Sequence, residues 1–184
     1  DEMKEDFALW VKLHPFRDYG PALHPMGALL TLSDLRSLRM RIAHMSRSAQ
    51  KIAEFLEGHP KVDRVYYPGL KSSEGHEVAK KYMKLVDSDE NLYGYMMAFD
   101  IKEDKKLDIK NARKFHDALE LIWRATDLGR VKTIATLPAI STHQQQGEEG
   151  REIAGILPSC VRLSVGIENV EDLLSDLNNA LDAI

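Results

Sequence analysis

The sequence predicts a two-layer α/β sandwich, a single sheet with helices packed on one face. Three observations predict it. A long apolar stripe at helical spacing runs from Leu35 to Leu56. Five short runs of strand character follow, separated by turn signals. Helical stretches alternate with them, in the order helix, strand, helix, strand, helix, two strands, short helix, strand, helix.

The elements are justified in turn. Residues 5–13 carry Phe7, Leu9, Trp10, Val11 and Leu13 among charges, which predicts a short helix ending before Pro15. Residues 17–21 read as a loop, and 24–28 as a second break. Ser33 is the candidate N-cap of the long helix, predicted over 34–57 and stopped by Gly58 and Pro60. Its stripe is Leu35, Leu38, Ile42, Met45, Ala49, Ile52, Phe55 and Leu56. Residues 62–67 predict a short strand ending at Pro68-Gly69, with Tyr66 and Tyr67 packing at its end. A helix is predicted over 74–84, with Val78, Tyr82 and Met83 as its apolar side.

Tyr93 to Asp100 is apolar almost throughout, as in a buried strand, and Gly94 within it predicts a bulge or a close approach. Residues 103–106 read as a charged turn. Asp108 to Glu120 predicts a helix burying Ala112, Phe115 and Leu119. Strands follow over 121–126 and 131–137, with Trp123 expected in the core and Trp10 in the core or at an interface. A short helix is predicted over 148–154, the last strand over 161–167, and a final helix capped by Asn169.

Composition narrows the function classes. The chain has 184 residues, 43% hydrophobic and 29% charged, which suits one globular domain. Its formal net charge is -4, against the basic excess of a nucleic-acid surface. No apolar run approaches the ~20 residues of a membrane span. The first six residues are acidic where a secretory signal is basic and then apolar. Cys160, the single cysteine, has no internal partner and reads as a small buried hydrophobe. The cytoplasm is the expected compartment. Because the chain opens within an amphipathic segment and not on Met, it is expected to be a piece of a longer protein.

The stretch from Asp127 to Gly166 concentrates the chemistry. Arg162 sits in a strand between Val161 and Leu163, so its guanidinium requires an anionic partner or water. A bound carboxylate or phosphate is one such partner, and a core Asp or Glu is the other. Asp127, Thr142 and Arg162 together predict an anion pocket. His143 reads equally as a surface or hinge residue, and Ser141 and Thr142 as caps of the helix near 148. No P-loop, dinucleotide fingerprint or zinc spacing is present.

These same residues resemble the C-terminal domain of the Cys/Met-metabolism PLP-dependent enzymes, which include cystathionine γ-synthase, cystathionine γ-lyase, methionine γ-lyase and O-acetylhomoserine sulfhydrylase. The resemblance rests on Leu128-Gly129, Lys132-Thr133, Pro138-Ala139, Thr142-His143 and the run Val161-Arg162-Leu163-Ser164-Val165-Gly166-Ile167-Glu168. Further matches are Gly20 to Pro25, Leu35 to Arg41, His59 to Val62, Tyr67 to Leu70 and Tyr93 to Met96.

The resemblance implies a small, mainly antiparallel sheet, with residues 1–32 connecting to a preceding PLP-binding domain and 33–184 forming the C-terminal α/β domain. It implies that Arg162 binds the α-carboxylate of an amino-acid substrate and that Thr142 lines the pocket. Asp127 stands where the family usually has Ser or Asn, and Arg130 where it has Gly or Asp. Lys132-Thr133 leans towards the sulfhydrylase branch. The family's PLP-bearing lysine, phosphate cup and pyridinium partner are not placed in this chain, so alone it is expected to be inactive. A homotetramer built as a dimer of dimers is implied for the complete protein. The alternative is a stand-alone domain that binds a small amino or keto acid, or that dimerises.

Overall fold

The computed structural model describes residues 6–104 and 108–184. The predicted charged turn at 103–106 lies partly outside them. The chain forms two compact units, one up to Arg39 and one from Met40 to Ile184.

In the first unit, α1 (Phe7–Val11) continues through a π-helical turn over Lys12–Phe16 into α2 (Arg17–Tyr19). Pro15 therefore does not end the helix. A π turn moves the hydrogen bonds to i→i+5 spacing, which accommodates the missing proline N–H. Gly20 ends this segment in the left-handed conformation, at φ 58°. Trp10 is half-buried and stands 5.5 Å from the His14 ring.

Helix α3 (Pro25–Glu57) begins nine residues before the expected start at 34. The sequence around His24-Pro25 starts a helix where a break was expected. Proline suits the first helical turn, whose N–H groups lack partners inside the helix. His24 Nδ1 accepts the Met26 N–H at 3.2 Å, so Ser33 is an interior residue and not the cap. The predicted stripe is buried only from Met45 onward, while Leu35 and Leu38 stay exposed.

The second unit carries one five-stranded sheet in the order β1-β2-β5-β4-β3. Its strands are β1 (Val62–Tyr66), β2 (Met96–Ile101), β3 (Trp123–Arg124), β4 (Ile134–Thr136) and β5 (Cys160–Ser164). All pairings are antiparallel except β3 with β4. Between the strands lie α4 (His76–Tyr82), α5 (Lys110–Ala118) and α6 (Gly147–Ile153), and α7 (Val170–Asp182) closes the chain. This is the predicted α/β class with a mainly antiparallel sheet.

Side chains alternate across the sheet. Met97, Phe99, Ile101, Ala135, Val161 and Leu163 point to one face and form one core with the buried residues of α3, α5 and α7. Phe99 meets Phe115 edge-on at 5.7 Å. Helices α4 and α6 bury no residue, so the expected apolar side of α4 is solvent-facing: Val78 and Tyr82 are both exposed.

The strands are shorter than their apolar runs, and single backbone bonds continue in register beyond their ends. The Val131 carbonyl accepts the Ile167 N–H at 2.8 Å, and Val165 donates to the Tyr95 carbonyl at 3.0 Å. Strand β3 lies at the sheet margin, which leaves Trp123 exposed and not in the core. Gly94 precedes β2 at φ 85° with open space around it, so positive φ and not close approach is what requires glycine there.

Tyr67 is fully buried, and its hydroxyl donates to the Gly94 carbonyl at 2.9 Å. Asp176 on α7 is the main buried polar tie missed in the sequence. Its carboxylate accepts the N–H groups of Glu120, Leu121 and Ile122 at 2.9, 3.1 and 2.9 Å. It anchors the approach to β3 on the final helix.

Candidate functional site

The sheet face away from the helices carries the polar row. Antiparallel register places Thr136, Arg162 and Ala98 side by side on β4, β5 and β2. One step along β5, Ser164 pairs with Ile134 and Met96. Directly opposed residues share a face, so Thr136, Arg162 and Ser164 all point away from the helical core.

Arg162 is half-buried. Its Nη2 donates to the Thr126 carbonyl at 2.7 Å. Among the described residues no carboxylate lies within ion-pair distance of it. A guanidinium carries five donors, and one carbonyl occupies a single N–H. The core Asp or Glu that was the bland alternative is therefore not the partner this arginine has found here.

The loop from Thr126 to Thr133 is strapped against β5 and the residues after it. Gly129 donates its N–H to the Ser164 hydroxyl at 3.0 Å, and its φ of 77° is one that side chains resist. Gly166 donates to the Thr133 hydroxyl at 2.8 Å. A Cβ on Gly166 would stand 2.2 Å from the Val131 carbonyl, so only glycine permits this approach. Glu168 accepts both the N–H and the hydroxyl of Thr133 at 2.7 Å, and Lys132 approaches it at 3.5 Å. The run from Arg162 to Glu168 thus supplies the guanidinium and also holds the loop beside it.

Asp127 directly follows the carbonyl that holds Arg162. Its Oδ1 accepts the Leu128 N–H at 2.9 Å and its Oδ2 pairs with Arg130 Nε. The Leu128 N–H, and after it the Arg130 guanidinium, hold its carboxyl below the usual range. Asp127 is thus linked to Arg162 along the chain, through Thr126, while its carboxylate is turned to Leu128 and Arg130.

Thr142 is placed differently. It lies in the turn after the short 3-10 helix Pro138–Ile140, and its hydroxyl bonds His143 Nδ1 at 2.9 Å. No hydrogen bond joins it to Arg162 among the described residues. Ser141 does not cap α6 either: its hydroxyl donates to the Leu137 carbonyl at 2.6 Å and lies 3.0 Å from the Thr136 hydroxyl. The hydroxyl beside Arg162 is that of Thr136, which went unnoticed in the sequence. Thr136 shares a face with Ile134, two positions before it, but only strand register shows which face that is.

The same face carries a second polar group. Asp100 is buried, accepts the Tyr66 hydroxyl at 2.7 Å through Oδ2, and stands opposite Cys160. Burial, and then the Asp100 hydrogen bond, push the Tyr66 hydroxyl up to about 12. Tyr66 is thus more than strand-end packing.

The sequence model of the Cys/Met metabolism PLP-dependent enzymes matches residues 3–182. The chain belongs to that family. It is 39% identical over 178 residues to the O-acetyl-L-homoserine sulfhydrylase of Leptospira meyeri, a match covering 97% of this chain and 38% of that one. It is 38% identical over 165 residues to the L-methionine gamma-lyase of Fusobacterium nucleatum subsp. polymorphum, covering 90% of this chain and 39% of the relative. A solved Campylobacter jejuni structure, described as an O-acetylhomoserine (thiol)-lyase and holding a pyridoxyl-lysine-phosphate, superimposes with a TM-score of 0.83. It shares 36% identity and covers 97% of this chain and 40% of its own. The chain spans about two fifths of the length of these relatives.

The family is PLP-dependent, yet the strand residues of the open face include no lysine. Lys132, the lysine within the strapped loop, is turned to Glu168 and to the Trp123 ring. The donor set here is a guanidinium, hydroxyls and backbone N–H groups. That set suits an anionic substrate group and does not by itself anchor the cofactor. Among the described residues no helix is long and apolar enough to cross a membrane.

Proposed function

We propose that this chain is the C-terminal, substrate-carboxylate-binding domain of a PLP-dependent sulfur amino-acid lyase or transferase acting by γ-elimination or γ-replacement. The observation that carries the reading is Arg162: half-buried on the open sheet face, steadied by the Thr126 carbonyl, and without a carboxylate partner among the described residues. Relatives named as sulfhydrylase and lyase support the reaction class.

In this reading, the planar fork of Arg162 takes the α-carboxylate of the amino-acid substrate in a bidentate pair. The Thr126 carbonyl, at the start of the strapped 126–133 loop, fixes the guanidinium from one side. The substrate's Cα is thereby held in one orientation, which is the entropic contribution of a positioning residue. Bound PLP supplies the electron sink for chemistry at Cα. The residues that anchor PLP belong to the part of the relatives beyond the present match. Thr142 and Asp127 complete the substrate site, Thr142 from the turn after β4 and Asp127 from the loop over β5. The complete protein is a homo-oligomer of the cytoplasm.

The test is Arg162→Ala in the full-length enzyme. KM for O-acetyl-L-homoserine or L-methionine rises roughly 100-fold or more, the loss expected for two hydrogen bonds to a charged group. Bound PLP, read from its absorbance, stays at the parent level. An unchanged KM sinks the assignment.

A further inference from the structure

Asp127 adds a carboxylate to the loop whose Thr126 carbonyl holds Arg162. Thr126 accepts from Arg162 at 2.7 Å, and Asp127 is the next residue, its Cα ~3.8 Å along the chain. Two residues further on, Gly129 is bonded to the Ser164 hydroxyl, on the same sheet face as Arg162. The turn carrying Asp127 is therefore held at both ends against the row that presents the guanidinium.

Asp127 is ionised at neutral pH. Both of its oxygens are engaged, one by the Leu128 N–H and one by Arg130, and these contacts favour the charged form. Protonation does not remove its charge, so only a cation does. Arg130 is that cation, paired at i,i+3 spacing and largely solvent-exposed. As a fold-stabilising contact, an exposed pair of this kind contributes little. On a neighbouring anion it acts through the same solvent-screened Coulomb field. An uncompensated negative charge within several ångströms of a bound carboxylate opposes binding by an amount comparable to an ion pair.

We propose that the Asp127–Arg130 pair sets the charge at the mouth of the Arg162 subsite, with Arg130 cancelling Asp127 so that a substrate carboxylate can bind. Arg130 is then a positioning residue that acts through Asp127 and does not itself touch the substrate. This inference rests on the carboxylate role proposed for Arg162.

The experiment is a double-mutant cycle in the full-length PLP-loaded enzyme. Its readout is the dissociation constant of L-norleucine, a sulfur-free amino acid, measured by calorimetry. Arg130→Gln weakens binding about 3- to 30-fold, the range between water-like and protein-like screening. In the Asp127→Asn background the same change has an effect of less than about twofold, the signature of coupling between the two positions. Arg130→Lys retains the cation and binds like the parent, and the thermal midpoint of Arg130→Gln matches that of the parent.

Arg162→Ala is measured in parallel. If it leaves the dissociation constant unchanged, the carboxylate reading falls and this inference with it. If it weakens binding while Arg130→Gln is equally damaging in both backgrounds, or harmless in both, only the charge-cancelling role is overturned.

Discussion

Glu168 grips Thr133 twice, accepting its backbone N–H and its hydroxyl at 2.7 Å each. The pair joins two segments 35 residues apart, the loop before β4 and the turn after β5. Thr133 is fully buried and passes the connection on, because its hydroxyl also accepts the Gly166 N–H. One carboxylate thus holds the loop bearing Asp127 and Arg130 in place beside Arg162.

Replacement of Glu168 by Ala leaves two donors of Thr133 without their charged acceptor. Stability is expected to fall by about 2–4 kcal/mol, read from urea unfolding. In the full-length enzyme KM should rise with it, since the 126–133 loop loses its clasp. Thr133→Val removes one of the two bonds and is expected to give an intermediate loss. A Glu168→Ala protein as stable as the parent would show that the clasp contributes nothing.

Asp176 supports a parallel argument at the adjoining edge strand, β3. Three successive N–H groups, those of Glu120, Leu121 and Ile122, converge on its carboxylate from the segment leading into β3. Asp176→Ala strands them away from water, at an expected cost of about 2–5 kcal/mol. Hydrogen exchange locates the effect: amides 120–122 should lose protection before those of β2 and β5 do. Protection that falls evenly across the sheet would argue against a local anchor.

The order of elements was legible because hydrophobic period is a local property. The stripe through Met45, Ala49, Ile52 and Leu56, and the alternation in the strand runs, appear in the structure as buried faces. Arg162 was legible for a related reason, since a guanidinium between Val161 and Leu163 is conspicuous wherever the strand lies. What depended on tertiary context was not legible. Pro15 and Pro25 read as breaks, yet a π turn passes the first and the second opens a helix. Thr136 joined the site through strand register, which no local pattern states. Asp176 carried no sequence signal, because its partners are more than fifty positions away. Val78 and Tyr82 of α4 were read as an inward side, but spacing alone does not say that a partner layer is present.

Asp100 yields a prediction in pH. Burial raises its carboxyl above the usual carboxylate range. The Tyr66 hydrogen bond opposes that shift, and the nearby charge of Asp63 adds to it. Its Oδ1 has no geometrically formed hydrogen bond among the described residues, and the smaller opposing pulls of the Cys160 thiol and Arg64 do not offset burial. The sign follows from linkage. A carboxyl whose folded value is raised binds its proton more tightly in the folded state, so folding is penalised once the proton is lost. The penalty is absent below the ordinary value of about 3.9, grows as pH rises from there to the folded value, and is constant above it. Asp100→Asn cannot titrate and does not carry this dependence. Urea unfolding of both proteins between pH 4 and pH 8 is the measurement. The parent should lose stability relative to Asp100→Asn as pH rises and level off once the carboxyl is fully ionised. A difference that stays flat across the range, or that moves in favour of the parent with rising pH, would mean that Asp100 is ionised in the folded protein at little cost.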